Sequence, residues 1–132
     1  MTFRSCYALK QDIILPESCK TIGQEAFRAS PIKSLSGHLT SIAGGAFREC
    51  TELKTLILKG DMVCTLSATS AFTNSPIASG EGCIVIDTGD DAASEILAKE
   101  YKNATNWSAY ANQIYSKAAY DNLTATTNPR FT

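Results

Sequence analysis

The feature that most narrows what this chain can fold into is a short phrase that recurs along it. Ile42-Ala43-Gly44-Gly45-Ala46-Phe47-Arg48-Glu49-Cys50 is preceded by Ile22-Gly23-Gln24-Glu25-Ala26-Phe27-Arg28-Ala29-Ser30 and followed by the looser Leu66-Ser67-Ala68-Thr69-Ser70-Ala71-Phe72-Thr73-Asn74-Ser75. A truncated copy, Phe3-Arg4-Ser5-Cys6, stands near the start. In each copy a Phe is followed three positions later by a small residue, Cys6, Ser30, Cys50 or Ser75. An apolar residue follows shortly after, at Leu9, Ile32, Leu53 and Ile77. The Phe residues stand 24, 20 and 25 positions apart. Self-similarity at such a period marks a solenoid, in which no unit buries its own apolar face and each borrows cover from its neighbours. The spacing predicts that Phe27, Phe47 and Phe72 stack in one column, one ring per coil.

Between the phrases lie short β-type runs: Asp12-Ile13-Ile14-Leu15, Lys33-Ser34-Leu35, Lys54-Thr55-Leu56-Ile57-Leu58 and Met62-Val63-Cys64-Thr65-Leu66. Their apolar residues alternate or cluster over three to five positions, which suits strands. Pro16, Gly37 and Gly60 are read as turns between them. The Ala-Phe stretches are too short for independent helices and fit single helical turns with the Phe inward. Cys83-Ile84-Val85-Ile86 reads as the last strand, and Asp90 or Asp91 is placed to cap a helix. That helix spans 92–102 and turns Ile96, Leu97, Tyr101 and Ala104 to one side. A second amphipathic helix through Trp107, Tyr110, Ala111, Ile114 and Tyr115 runs to about Lys117. Residues 118–132, rich in Thr and Asn, read as an extended tail. The expected division is a solenoid over 1–87, a helical closing segment over 88–117 and the tail over 118–132.

Composition mainly excludes. The 132 residues fit one domain, and 44% apolar content supports a packed core. A formal charge of −1, with acids and bases mixed, argues against the clustered cations a nucleic-acid surface needs. No apolar run approaches the roughly 20 residues that cross a bilayer, so no membrane insertion is expected. Met1 to Cys6 lacks the apolar core of a secretory signal. None of the five cysteines forms a Cys-x-x-Cys pair, so they read as small buried hydrophobes. His38 is the only histidine, which leaves no second imidazole for a metal site and no base beside a cysteine nucleophile. Asp87, Asp90 and Asp91 lack the alternating pattern of a calcium loop. The sequence therefore offers no catalytic, cofactor-binding or metal residue, and no cofactor.

Two units, Leu15-Pro16-Glu17-Ser18-Cys19-Lys20-Thr21-Ile22-Gly23-Gln24-Glu25-Ala26-Phe27 and Ser41 through Leu53, resemble the BspA-type leucine-rich repeat. Glu100-Tyr101-Lys102-Asn103-Ala104-Thr105-Asn106-Trp107-Ser108 and the residues up to Ile114 are similar to the segment that ends many such arrays. The resemblance implies an α/β repeat: a right-handed leucine-rich-repeat-like β-solenoid of about three short coils with a C-terminal helical cap. It also implies a non-catalytic role in adhesion or receptor recognition at a microbial cell surface or virion. The partner would be a protein or a surface-glycan receptor. The chain departs from the pattern in its few repeats, in Asp87 where a Pro is usual, and in beginning inside a repeat. An open first coil should then be covered by another chain through Phe3 and Leu9. Lys33 and Lys54 are the candidates for recognition on the exposed strand side, and Tyr115 and Tyr120 for contacts between chains. The alternative role is a structural decoration or assembly subunit, for example of a phage particle.

Overall fold

A computed structural model describes residues 12–127, which form two parallel sheets joined by tight turns. The larger sheet is built from β1 (Asp12–Ile14), β3 (Ser34–Gly37), β5 (Thr55–Lys59), β7 (Cys83–Asp87) and β8 (Ile114–Ser116), in that spatial order. The smaller one takes β2 (Thr21–Ile22), β4 (Ser41–Ile42) and β6 (Thr65–Leu66). Every pairing is parallel, as when successive coils stack without shifting. In the larger sheet Leu35, Leu56, Ile84 and Ile114 fall in one inward row, and Leu58 and Ile86 lie in the next. Gly37 lies within β3 rather than in a turn: a Cβ there would meet Leu15 Cδ1 at 3.1 Å, so any larger residue would press on that leucine.

The aromatic column forms as the spacing predicts. Phe27 and Phe47 stack with ring centroids 5.6 Å apart, and Phe47 and Phe72 do the same at 5.6 Å. All three are fully buried. The Ala-Phe stretches are tight turns closed by i to i−3 bonds, such as Ala26 N to Gly23 O and Arg28 N to Glu25 O. Phe27 N donates to Ala46 O and Phe47 N to Ala71 O, so the backbone ties neighbouring coils together at the rings. Ala29, Glu49 and Asn74 hold the left-handed conformation at equivalent places, with φ of 60°, 64° and 62°. The shared Ser-Pro-Ile has two outcomes. Ser75 caps the one-turn helix α1 (Pro76–Ser79), whereas Ser30-Pro31-Ile32 continues without a helix.

The inward residues of the first described coil are buried. Leu15, Cys19, Ile22, Ala26, Phe27 and Ile32 are all at most 5% exposed. The expected open end falls on the residues before Asp12, outside the described part. Ile14, at 80%, is the exposed apolar residue of β1. Phe3 and Leu9 lie outside the described residues.

After β7 the chain departs from the sequence reading in three places. The helix α2 (Asp91–Asn103) forms as expected, with the Asp90 carboxylate accepting from Ala93 N at 2.9 Å. It buries Ser94, Leu97, Ala98 and Tyr101, while Ile96 is 62% exposed rather than inward. The expected second helix is a 3-10 segment, Trp107–Gln113, running into β8, so Cys83–Asp87 is not the last strand. Asn106 at φ 68° breaks the helical path, and pairing with β7 gives Ile114–Ser116 a ladder that a lone helix lacks. The expected extended tail is helical from Lys117 to Thr127, here α3. Ser116 Oγ accepts from Ala119 N at its start, and Lys117 pairs with Asp121 one turn on.

Candidate functional site

The outward side of the larger sheet is the surface that the repeat builds most regularly. Period-two alternation along β5 sends Leu56 and Leu58 inward and leaves Thr55, Ile57 and Lys59 half-buried on the other face. Parallel register extends these positions into rows. One row is Asp12, Ser34, Thr55 and Cys83; the next is Ile14, Ser36, Ile57, Val85 and Tyr115. Ser34 Oγ donates to Asp12 Oδ1 at 2.8 Å, fixing the start of the first row. α3 packs against β7 and β8, and Val85 is fully buried outside the inner core cluster. Among the described elements, the open part of this face is therefore β1, β3 and β5.

Lys33 and Lys54 are both exposed and sit on adjacent coils, joined by Lys54 N donating to Lys33 O at 2.9 Å. They lie one residue before β3 and β5, at the rim of the sheet rather than within its outward rows. Tyr115 is on the Ile57–Val85 row, and Tyr120 is half-buried on α3. The fold thus separates the lysine pair from the tyrosine pair across the sheet. Sequence reasoning passed over Ser34, Thr55, Ile57 and Lys59. The alternation Thr55-Leu56-Ile57-Leu58-Lys59 was the signal that points to them.

Two of the cysteine thiols are held inside the core. Cys50 Sγ donates to Phe27 O at 2.9 Å, and burial pushes its thiol up to about 11. Burial also pushes the Cys64 thiol up to about 12, so neither is a thiolate at neutral pH. Among the described residues, no group of three or more His, Cys, Asp or Glu side chains is arranged to hold a metal ion. None of the described helices is long and apolar enough to cross a membrane. Arg28 bridges Glu25 and Glu49 at 3.3 Å each, an exposed network worth little to stability.

The far end of the stack is where the backbone of the last coil meets side chains instead of another coil. Trp107 Nε1 donates to Cys64 O at 2.6 Å, Asn106 Nδ2 to Leu66 O at 2.6 Å and Tyr110 Oη to Thr69 O at 3.0 Å. Cys64 N donates to Tyr101 Oη at 2.7 Å, and Gln113 Nε2 donates to Ile77 O and Gly82 O. Tyr110 meets the Phe72 ring edge-on at 5.5 Å, and Trp107 lies tilted at 6.1 Å. Carbonyls and amides that a further coil would take are thereby satisfied, and the last ring of the column is covered.

A family model described as "BspA type Leucine rich repeat region (6 copies)" matches residues 1–88. No curated protein and no solved structure matches the chain. The match covers both described sheets up to the end of β7, the part of the chain that carries the ring column. The chain belongs to the BspA-type leucine-rich repeat family.

Proposed function

We propose that this chain is a non-enzymatic protein-binding module: a right-handed solenoid of about three coils, closed by the segment after β7. It docks a protein receptor on the outward face of β1, β3 and β5. The observation that carries this reading is the in-register face itself. Ile14 is 80% exposed, Ile57 is half-buried, and Ser34, Thr55 and the rim lysines Lys33 and Lys54 surround them. An apolar centre with a polar and charged rim is the usual anatomy of a protein interface. Repeats of this family serve protein interaction and are typically surface-associated in bacteria, so adhesion or receptor recognition at a microbial surface or virion is the setting.

The test is binding of the labelled chain to host cells or purified surface proteins, compared among three sets of variants. Thr55→Arg and Ile57→Glu place charge on the outward face, and Lys33→Glu with Lys54→Glu reverses the rim. Ser67→Arg alters the smaller sheet's side. The proposal expects the first two sets to lose binding and Ser67→Arg to keep it. Equal binding by all variants would overturn it.

A further inference from the structure

On the side where each coil turns from the larger sheet to the smaller, a groove of about 570 Å³ runs along the molecule. Five ionisable side chains line it: Glu17, Lys20, His38, Lys59 and Asp61. Among the described residues none of the five is in an ion pair or a side-chain hydrogen bond, although the chain does pair charges elsewhere, at Arg28–Glu25, Arg28–Glu49 and Lys117–Asp121. Two carboxylates and two ammonium groups cancel, so the groove selects no strongly charged ligand. Chemically it is a mixed set: carboxylates accept only, ammonium groups donate only, and the hydroxyls of Thr40 and Thr65 do both. The half-buried Val63 and the 76% exposed Met62 add an apolar wall.

We propose that this groove binds a short neutral oligosaccharide. Adjacent hydroxyls of a sugar satisfy acceptor-only and donor-only groups together, and its C–H face packs on Val63 and Met62. The volume is within the range of small-ligand sites. A peptide strand is the less fitting occupant, because it needs a run of unpaired backbone groups. Here Thr40 N donates to Lys20 O, Thr65 N to Thr40 O and Gly60 N to Asp87 O. This site meets the outward sheet face only at Lys59 and stands or falls independently of it.

The experiment is two-dimensional NMR of the full chain titrated with maltotriose, cellotriose and chitotriose up to about 10 mM, enough to detect a millimolar Kd. The expected result is shifts at the His38 ring and the Met62 methyl from at least one of the three. Asp61→Ala and Lys20→Ala should each weaken that binding about tenfold, the usual loss of one charged hydrogen bond. Thr55→Ala, on the other face, should leave it unchanged. The proposal fails if none of the three sugars moves these signals. It fails equally if acidic or basic decapeptides move them and the sugars do not, or if the sugar binds Asp61→Ala and Lys20→Ala as tightly as the parent.

Discussion

Truncating Phe47 to alanine removes the middle ring of the column and uncovers a face of each neighbour. Phe47 has no exposed surface and stacks at 5.6 Å on both Phe27 and Phe72. A buried phenylalanine takes about 150–250 Å² from water, or about 4–6 kcal/mol at 25 cal/mol per Å². Core truncations of this kind cost about 3–5 kcal/mol when measured. A domain of ordinary stability has only about 5–15 kcal/mol in total, so the loss takes a large share of it. Urea titration followed by Trp107 fluorescence reads the loss. With a slope near 2 kcal/mol per M, the midpoint should fall by about 2 M while the slope is kept. Phe72→Ala should cost at least as much, because it also loses Tyr110 and Trp107. The double variant should cost less than the sum by about 0.5–3 kcal/mol, since the two rings share a contact. A loss below about 1 kcal/mol for Phe47→Ala, or strict additivity, would refute the shared column.

Burial raises the Cys50 thiol from 9.0 to about 11, so the unfolded chain gives up this proton first as pH rises. Stability from this source is complete below about pH 9 and is lost as pH climbs toward 11, by roughly 3 kcal/mol. Urea unfolding in reductant should show Cys50→Ser with a visibly flatter decline over that window; an unchanged decline contradicts the buried thiol. Thiol labelling of the native chain should reach the half-buried Cys83 before Cys19, Cys50 and Cys64, and equal rates would count against the core as drawn. Ser30 Oγ is buried with no hydrogen-bond partner among the described residues. Ser30→Ala should therefore stabilise the fold by up to about 1–3 kcal/mol, seen as a higher Tm, and a lower Tm would show that the hydroxyl is satisfied.

What could be read from the sequence was whatever the repeat imposes on several residues at once. The ring column was legible because three Phe residues carry it at nearly one period. The buried cysteines were legible because Cys50 takes the place of Ser30 and Ser75. Of the smaller sheet only β6 was legible, inside the run Met62–Leu66; β2 and β4 were not, since two-residue strands such as Thr21–Ile22 contain a single apolar residue and no alternation. β8 was hidden because the spacing of Trp107, Tyr110 and Ile114 suits an α-helix as well as a 3-10 turn that opens into a strand. α3 had a local signal, Ser116 before Lys117-Ala118-Ala119, outweighed by the Thr-rich residues that follow. Lys33 and Lys54 were placed in the right coils but one residue too far into the strands, a boundary that composition does not mark.

The whole account depends on coils stacked in one register, and aromatic proton NMR on the intact chain tests that most directly. It should give ring-to-ring cross-peaks between Phe27 and Phe47, between Phe47 and Phe72, and from Phe72 to Tyr110 and Trp107. It should give none between Phe27 and Phe72. Cross-peaks that join Phe27 directly to Phe72, or that leave Phe47 without either neighbour, would contradict the stacked column and the binding face built upon it.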